Sequence, residues 1–264
     1  MIPIKTEEEI SKLRESAHLL IKTFRAVETV IRPGVTTEML NKVAEEVIRL
    51  GGGKPAFKGY KGYPKTICSS IESQVVHGIP GKRMLKEGEI ISIDIGVEMD
   101  GYYSDAAKTY GIGLLSSNRT LLMETTYKAL HQGIQQCCEG NRLSDISHAI
   151  QTCVEKKGFS VVKALVGHGI GKNLHEEPQI LNFGPPKRGP ELCSGMVFAI
   201  EPMINMGSPE VKFLEDGWTV ETADGYPSAH FEHTVLITGG KPEIFTLGIE
   251  DGDYWSKDGK RTSH

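Results

Sequence analysis

Gly88-Glu89-Ile90-Ile91-Ser92-Ile93-Asp94-Ile95-Gly96, running on through Asp100-Gly101 to Asp105, reads as an apolar strand with a carboxylate in its middle. An ionised carboxylate is costly to bury unless a cation or hydrogen bonds compensate it. Asp100-Gly101 between two strand-like runs is a strong signal for a two-residue hairpin, and it sets Met99 opposite Tyr102. In that register Asp94 stands opposite Ala107. Asp105 lies two residues from that partner, on the Asp94 face, at a diagonal of roughly 7 Å between backbones. Ile91, Ile93, Ile95 and Val97 occupy the other face, while Ser92 and Gly96 share the face of Asp94. One face packs, and the other can aim two carboxylates at one cation. From the hairpin alone, a hydrogen-bonded structural Asp94 and a turn residue Asp105 fit equally well.

The 264 residues suffice for one large domain or two fused smaller ones with an ample core. A formal net charge of -4 offers no electrostatic case for nucleic acid, so no sequence-specific nucleic-acid partner is expected. No apolar run has the length of a membrane span or the character of a signal peptide, so the expectation is a cytoplasmic protein without a membrane partner. The five cysteines include no Cys-x-x-Cys pair and support neither a disulfide framework nor a zinc finger. Reduced thiols fit the same compartment.

In chain order, Thr6-x-x-Glu9 is a capping box, and the residues from Ile10 through Ile31 recur at helical spacing until Arg32-Pro33-Gly34. A second helix is predicted from Thr36-Thr37 to Gly51, a third from about Ser117 to Gly140, and a fourth from Ser144 to Gly158. Loops and the hairpin lie between the helix pairs. Gly51 and Gly158 are 107 apart, as are Gly88 and Gly195, and Asp94 and Glu201. Gly88-x-x-Ile91-x-Ile93-Asp94 also matches Gly195-x-x-Phe198-x-Ile200-Glu201. Equal offsets with a shared phrase indicate a duplication. We therefore expect one domain over 1–250, built of halves at about 1–113 and 114–250 around a pseudo-dyad. Residues 251–264 read as a loose polar tail.

Three stretches of the second half hold the other unusual residues. In Gly167-His168-Gly169-Ile170-Gly171, followed by His175-Glu176-Glu177-Pro178, the glycines let backbone approach a neighbour closely. Glu201-Pro202 ends an apolar strand, and Glu232 enters another, Phe231 to Ile237, much as Asp94 does. Carboxylates with one or two imidazoles and no thiolate suit Mn, Fe, Co or Zn in a two-metal cluster. His18, His131 and His148 fall on predicted helices and read as ordinary helix histidines. His230 shares a face with Glu232 by the period of two, which leaves it either lining the site or packing, with packing the favoured reading. Glu176 and Glu177 read as loop charges.

With these residues in view, the chain resembles the type I methionine aminopeptidases of metallopeptidase family M24, from the first helix to about Phe245. His77-Gly78-Ile79-Pro80, Gly167-His168-Gly169-Ile170-Gly171, His175-Glu176-Glu177-Pro178, Ile200-Glu201-Pro202 and Glu232-His233-Thr234 carry the resemblance. It implies an α+β "pita-bread" (creatinase/aminopeptidase) fold, two helix-plus-strand halves around an antiparallel sheet. It implies a hydrolase that removes the initiator methionine from nascent polypeptides at the ribosome when the second residue is small. Asp94, Asp105, His168, Glu201 and Glu232 would hold two divalent ions, cobalt, manganese, iron or zinc, with a nucleophilic hydroxide between them. Glu201 would be the general base, His175 the donor to the oxyanion, and His77 the contact to the leaving side. Tyr60, Tyr63, Cys68 and Trp218 match positions lining the methionine pocket, where Leu174 and Phe57 depart from the Phe and Cys of relatives. Glu72 stands where many relatives have Asn, in a loop associated with a monovalent cation. Two rival readings share the fold: a proline-directed aminopeptidase or prolidase, disfavoured by the compact chain, and a non-catalytic binding module, disfavoured by the complete ligand set.

Overall fold

The computed structural model describes residues 2–250; the tail expected at 251–264 lies outside the described residues. Helix α1, Glu7–Glu28, starts from the capping box, with Thr6 accepting the Glu9 N–H and the Glu9 carboxylate accepting that of Thr6. It ends before Ile31, because Val30 and Ile31 turn back through short-range bonds to Val27 and Glu28. Helix α2 spans Thr37–Leu50 behind an N-cap at Thr36. Helix α3, Ser117–Ile134, stops six residues short of the expected Gly140. There the chain enters turns around the buried Cys137, and Cys138 bridges to Thr238, so tertiary pairing overrides the helical pattern. Helix α4 covers Leu143–Glu155.

The hairpin forms as its turn demands. Strands Ile90–Met99 and Tyr102–Gly111 pair with Met99 opposite Tyr102, Asp94 opposite Ala107 and Gly96 opposite Asp105. Ile91, Ile93, Ile95 and Val97 bury against α1 and α2 in one apolar core. A second core, within the second half, joins α3 and α4 to Phe198, Ile200 and Val235. Every strand ladder among the described residues is antiparallel. The mixture of helix layers and antiparallel sheet is the α+β class expected. No helix among the described residues is long and apolar enough to cross a membrane.

The same local structure recurs in both halves. Gly88 and Gly195 both sit at positive φ, +83° and +89°, which a side chain would strain, and turn the chain into strands Ile90–Met99 and Val197–Ile200. Gly88 N–H donates to the Ile112 carbonyl and Gly195 N–H to that of Ile237; Ile112 and Ile237 return bonds to Glu89 and Met196. In these second strands the offset is 125, and Ala107 and Glu232 are mates. They pair with each other, exchanging N–H to carbonyl bonds of 3.3 and 2.9 Å. Two equivalent residues facing each other antiparallel place a local two-fold axis between them.

On either side of that pair a threonine hydroxyl stands in for the ladder. Thr234 Oγ1 donates to the Asp105 carbonyl at 2.7 Å and accepts its N–H at 3.1 Å. Its mate Thr109 does the same to His230, at 2.8 and 3.0 Å. Thr234→Val keeps the shape and strips Asp105 of both backbone partners. We expect it to lower stability by about 1–3 kcal/mol, read as a lower urea midpoint at unchanged slope.

Candidate metal centre

The carboxylates from both halves converge where the two central strands meet. Asp94 and Asp105 come from the hairpin, Glu201 from the residue after strand Val197–Ile200, and Glu232 from the residue paired with Ala107. His168 comes from strand Gly167–Gly169, which lies between strands Glu176–Ile180 and Val197–Ile200. Its flanking glycines admit those neighbours: a Cβ on Gly167 would meet the Ala199 carbonyl at 2.5 Å, and one on Gly169 the Glu177 carbonyl at 2.1 Å. The close approach expected of this motif is thus made to backbone on both sides.

All the candidate residues named from the sequence line a single cavity of about 180 Å³, together with Phe57, Leu174 and Lys61. Asp94, Asp105, His168, Glu201 and Glu232 stand together in its lining, and we call this group its floor. Asp94 Oδ1, Asp105 Oδ1 and Glu232 Oε1 are buried without a hydrogen-bond partner. Such orphaned acceptors are rare and call for a cation or a proton. His168 Nδ1 lies 2.9 Å from the Gly169 carbonyl, so the ring proton is held there and the Nε2 lone pair faces the floor, 3.5 Å from Glu201 Oε1. The donor set and its orphaned atoms fit divalent cations.

Electrostatics agree. Burial raises the Asp94 carboxyl to about 7, against a hydrogen bond from Asp105. Burial, then the neighbouring carboxylates, push Asp105, Glu201 and Glu232 well above the usual range. Burial thus favours the protonated form of each of these groups. Burial works oppositely on the imidazoles, taking His168 to about 4 and His175 to about 3 and lowering His77, so they stay neutral. Burial also pushes the Cys68 thiol far up, and its side chain forms part of the cavity wall.

Around the floor, Tyr63 and Trp218 meet edge to face at 5.1 Å, and His77 stands edge-on to Trp218 at 6.5 Å. His175 stacks on Tyr60, whose hydroxyl lies 2.9 Å from Nδ1. With that hydroxyl donating, the ring proton sits on Nε2. Glu176 opens a strand and forms a buried ion pair with Lys5, contrary to its reading as a loop charge. At Glu72 the Arg119 guanidinium pairs with the carboxylate, Nε to Oε1 at 3.0 Å, and supplies positive charge at that loop.

Two histidines differ from expectation. His230, read as packing, points Nε2 at the outer oxygens of Glu201 and Glu232, at 3.9 and 3.8 Å. The period of two did signal its face, but an apolar neighbourhood could not show that the nitrogen lacks a partner. His131, read as an ordinary helix residue, shares Glu250 Oε1 with His233, at 2.6 and 2.9 Å. Nothing local to α3 announces that contact. Lys61 on the cavity wall also carried no sequence signal.

Residues 11–239 match the sequence profile of metallopeptidase family M24. The methionine aminopeptidase of Clostridium perfringens is 50% identical over 94% of this chain and 99% of its own length. Methionine aminopeptidase 1 of Bacillus subtilis is 50% identical over 93% and 99% respectively. The crystal structure of the Rickettsia prowazekii methionine aminopeptidase superposes with a TM-score of 0.92 at 42% identity, covering 94% of this chain and 100% of that one. The fold is therefore the pita-bread fold of those enzymes.

A cation must displace the protons that burial holds on the carboxylates. Its apparent affinity should therefore fall as pH drops from 8 to 6, by about tenfold per pH unit for each proton displaced. The neutral imidazoles do not compete in this range. Calorimetric titration with Mn(II) in buffers of different ionisation enthalpy should show proton release; binding without it would contradict the raised carboxyl pKa values.

Proposed function

The chain belongs to metallopeptidase family M24, and on that premise we propose that Asp94, Asp105, His168, Glu201 and Glu232 hold two divalent ions at the floor of a methionine-binding cavity. It is a metal-dependent hydrolase that removes N-terminal methionine from polypeptides. The observation that carries the residue assignment is the set of three orphaned carboxylate oxygens converging from two half-structures with one free imidazole nitrogen. An oxygen-rich set with one imidazole suits Mn, Fe, Co or Zn. Residues 1–250 form the single catalytic domain in this reading, with halves at about 1–113 and 114–250.

When bound, the ions acidify a water and polarise the scissile carbonyl. Glu201, facing His168 at the edge of the floor, takes the proton of the attacking water and passes it toward the leaving amine. His175, neutral and with its proton on Nε2, donates to the carbonyl oxygen as negative charge develops. His77 contacts the nitrogen on the leaving side. Tyr63, Cys68 and Trp218 enclose the methionine side chain and exclude water, with Phe57, Tyr60 and Leu174 completing the walls. Crowding by His77 and Trp218 favours a small second residue. Nascent chains at the ribosome, in the cytoplasm, are the substrate pool this reading implies; five unpaired cysteines support a reducing compartment.

His175→Ala should retain both ions and lose about 100- to 1000-fold in kcat, the effect of removing one oxyanion donor. Metal analysis alongside single-turnover kinetics checks it, and near-parental kcat would remove His175 from the reaction.

Specificity tests the reading as a whole. Chelation should abolish cleavage of Met-Ala-Ser, and Mn, Co or Fe should restore it. Leu-Ala-Ser should be cleaved less well, by about 1–3 kcal/mol in kcat/KM, because an apolar slot discriminates weakly between similar side chains. Met-Leu-Ser should be poor. Preference for Ala-Pro-Ser would transfer the assignment to a proline-directed enzyme.

A further inference from the structure

His230 occupies the place in the second half that Asp105 occupies in the first. Asp105, Ala107 and Thr109 match His230, Glu232 and Thr234 at the common offset of 125. Because Ala107 and Glu232 pair across the local two-fold axis, Asp105 and His230 stand at the same level on either side of it. The backbone of each is gripped by the other half's threonine hydroxyl. Asp105 lines the cavity, and His230, from the equivalent backbone position, points at Glu201 and Glu232. His230 is 2% exposed, and its Nε2 has no hydrogen-bond partner. Nothing in the reaction described above uses it.

Two carboxylate oxygens lie close to Nε2: Glu201 Oε2, at 3.9 Å, and Glu232 Oε2, at 3.8 Å. Glu201 turns its other oxygen to His168, and the other oxygen of Glu232 is one of the orphaned acceptors. His230 thus meets the outer oxygens of two proposed ligands. We propose that His230 is a positioning residue of the metal centre, donating its otherwise unpartnered Nε2–H to Glu201 Oε2 and Glu232 Oε2. The inference rests on the ligand assignment proposed above. Ionised carboxylates accept charge-assisted bonds at about 2.7–2.9 Å, so a movement of roughly 1 Å completes the contact. Such outer partners orient ligands, and losing one typically weakens metal affinity or activity about 10- to 100-fold.

His230→Gln retains an N–H donor at similar reach, and His230→Leu removes it at similar volume. Full-length parent and variants, stripped by chelator, would be titrated calorimetrically with Mn(II) alone and, separately, with Co(II) while the visible absorption is recorded. We expect the leucine variant to bind about 10- to 100-fold more weakly, and the glutamine variant to stay within about threefold of the parent with an unchanged Co(II) band. A leucine variant that binds as tightly as the parent overturns the inference. So does a glutamine variant as weak as leucine with a shifted Co(II) band, which makes the imidazole itself a ligand. Melting of the metal-free proteins identifies a misfolded variant; His230→Met then replaces leucine in the same comparison. A parent that binds no ions overturns the ligand assignment as well, whereas two ions in the parent beside an unaffected leucine variant overturn this inference alone.

Discussion

Four carboxyl groups line one largely buried space, where burial opposes the ionisation of all four and the charge of Asp94 opposes that of Asp105, Glu201 and Glu232. Left to themselves such groups would separate or move into water. The backbone prevents this. Asp105 and Glu232 belong to strands that pair directly through Ala107, and the threonine hydroxyls on both sides keep the strands from sliding or parting. The repulsion is therefore stored in a frame that cannot relax, and cations or protons must compensate it. That requirement ties the fold to its chemistry.

The frame is symmetric, but its side chains are not. Asp94 and Glu201 are mates and both acids, so each half supplies one carboxylate from its first strand. In the second strands the mates diverge: Asp105 corresponds to His230, and Ala107 to Glu232. Small Ala107 leaves room at the axis for Glu232, whose N–H donates to the Ala107 carbonyl at 2.9 Å. One backbone pattern, used twice, thus places five different side chains around one space.

The back of the same strands is closed by the end of the described chain. Lys108 and His233, again mates, both point away from the cavity and both bind the segment before residue 251. Lys108 Nζ donates to the Ile249 carbonyl at 3.0 Å, and His233 Nε2 lies 2.9 Å from Glu250 Oε1. Burial opposes ionisation of Glu250, but hydrogen bonds from His131 and His233 outweigh it and hold its carboxyl at about 2. Residues 249 and 250 therefore span the axis behind the carboxylates and tie α3 to it through His131.

By itself the sequence determined the helix starts, through Thr6, Glu9 and Thr36, and the hairpin register, through Asp100-Gly101. It also determined which face of the Ile90–Met99 strand packs, since a period of two admits one assignment once Ile91, Ile93, Ile95 and Val97 are apolar. The equal offsets named the repeat and the strand-borne acids stood out by residue type, because spacing and residue type are local properties, whereas Tyr60, Tyr63, Cys68, Trp218, His77 and His175 were named through the family resemblance. Only the tertiary structure decided where α3 ends, that Glu176 is buried against Lys5, and that His131 reaches Glu250. It alone decided that Thr109 and Thr234 grip opposite strands and that His230 faces two carboxylates without a partner. Each of these depends on residues far apart in the chain meeting at a particular distance, and local periodicity carries no measure of that distance.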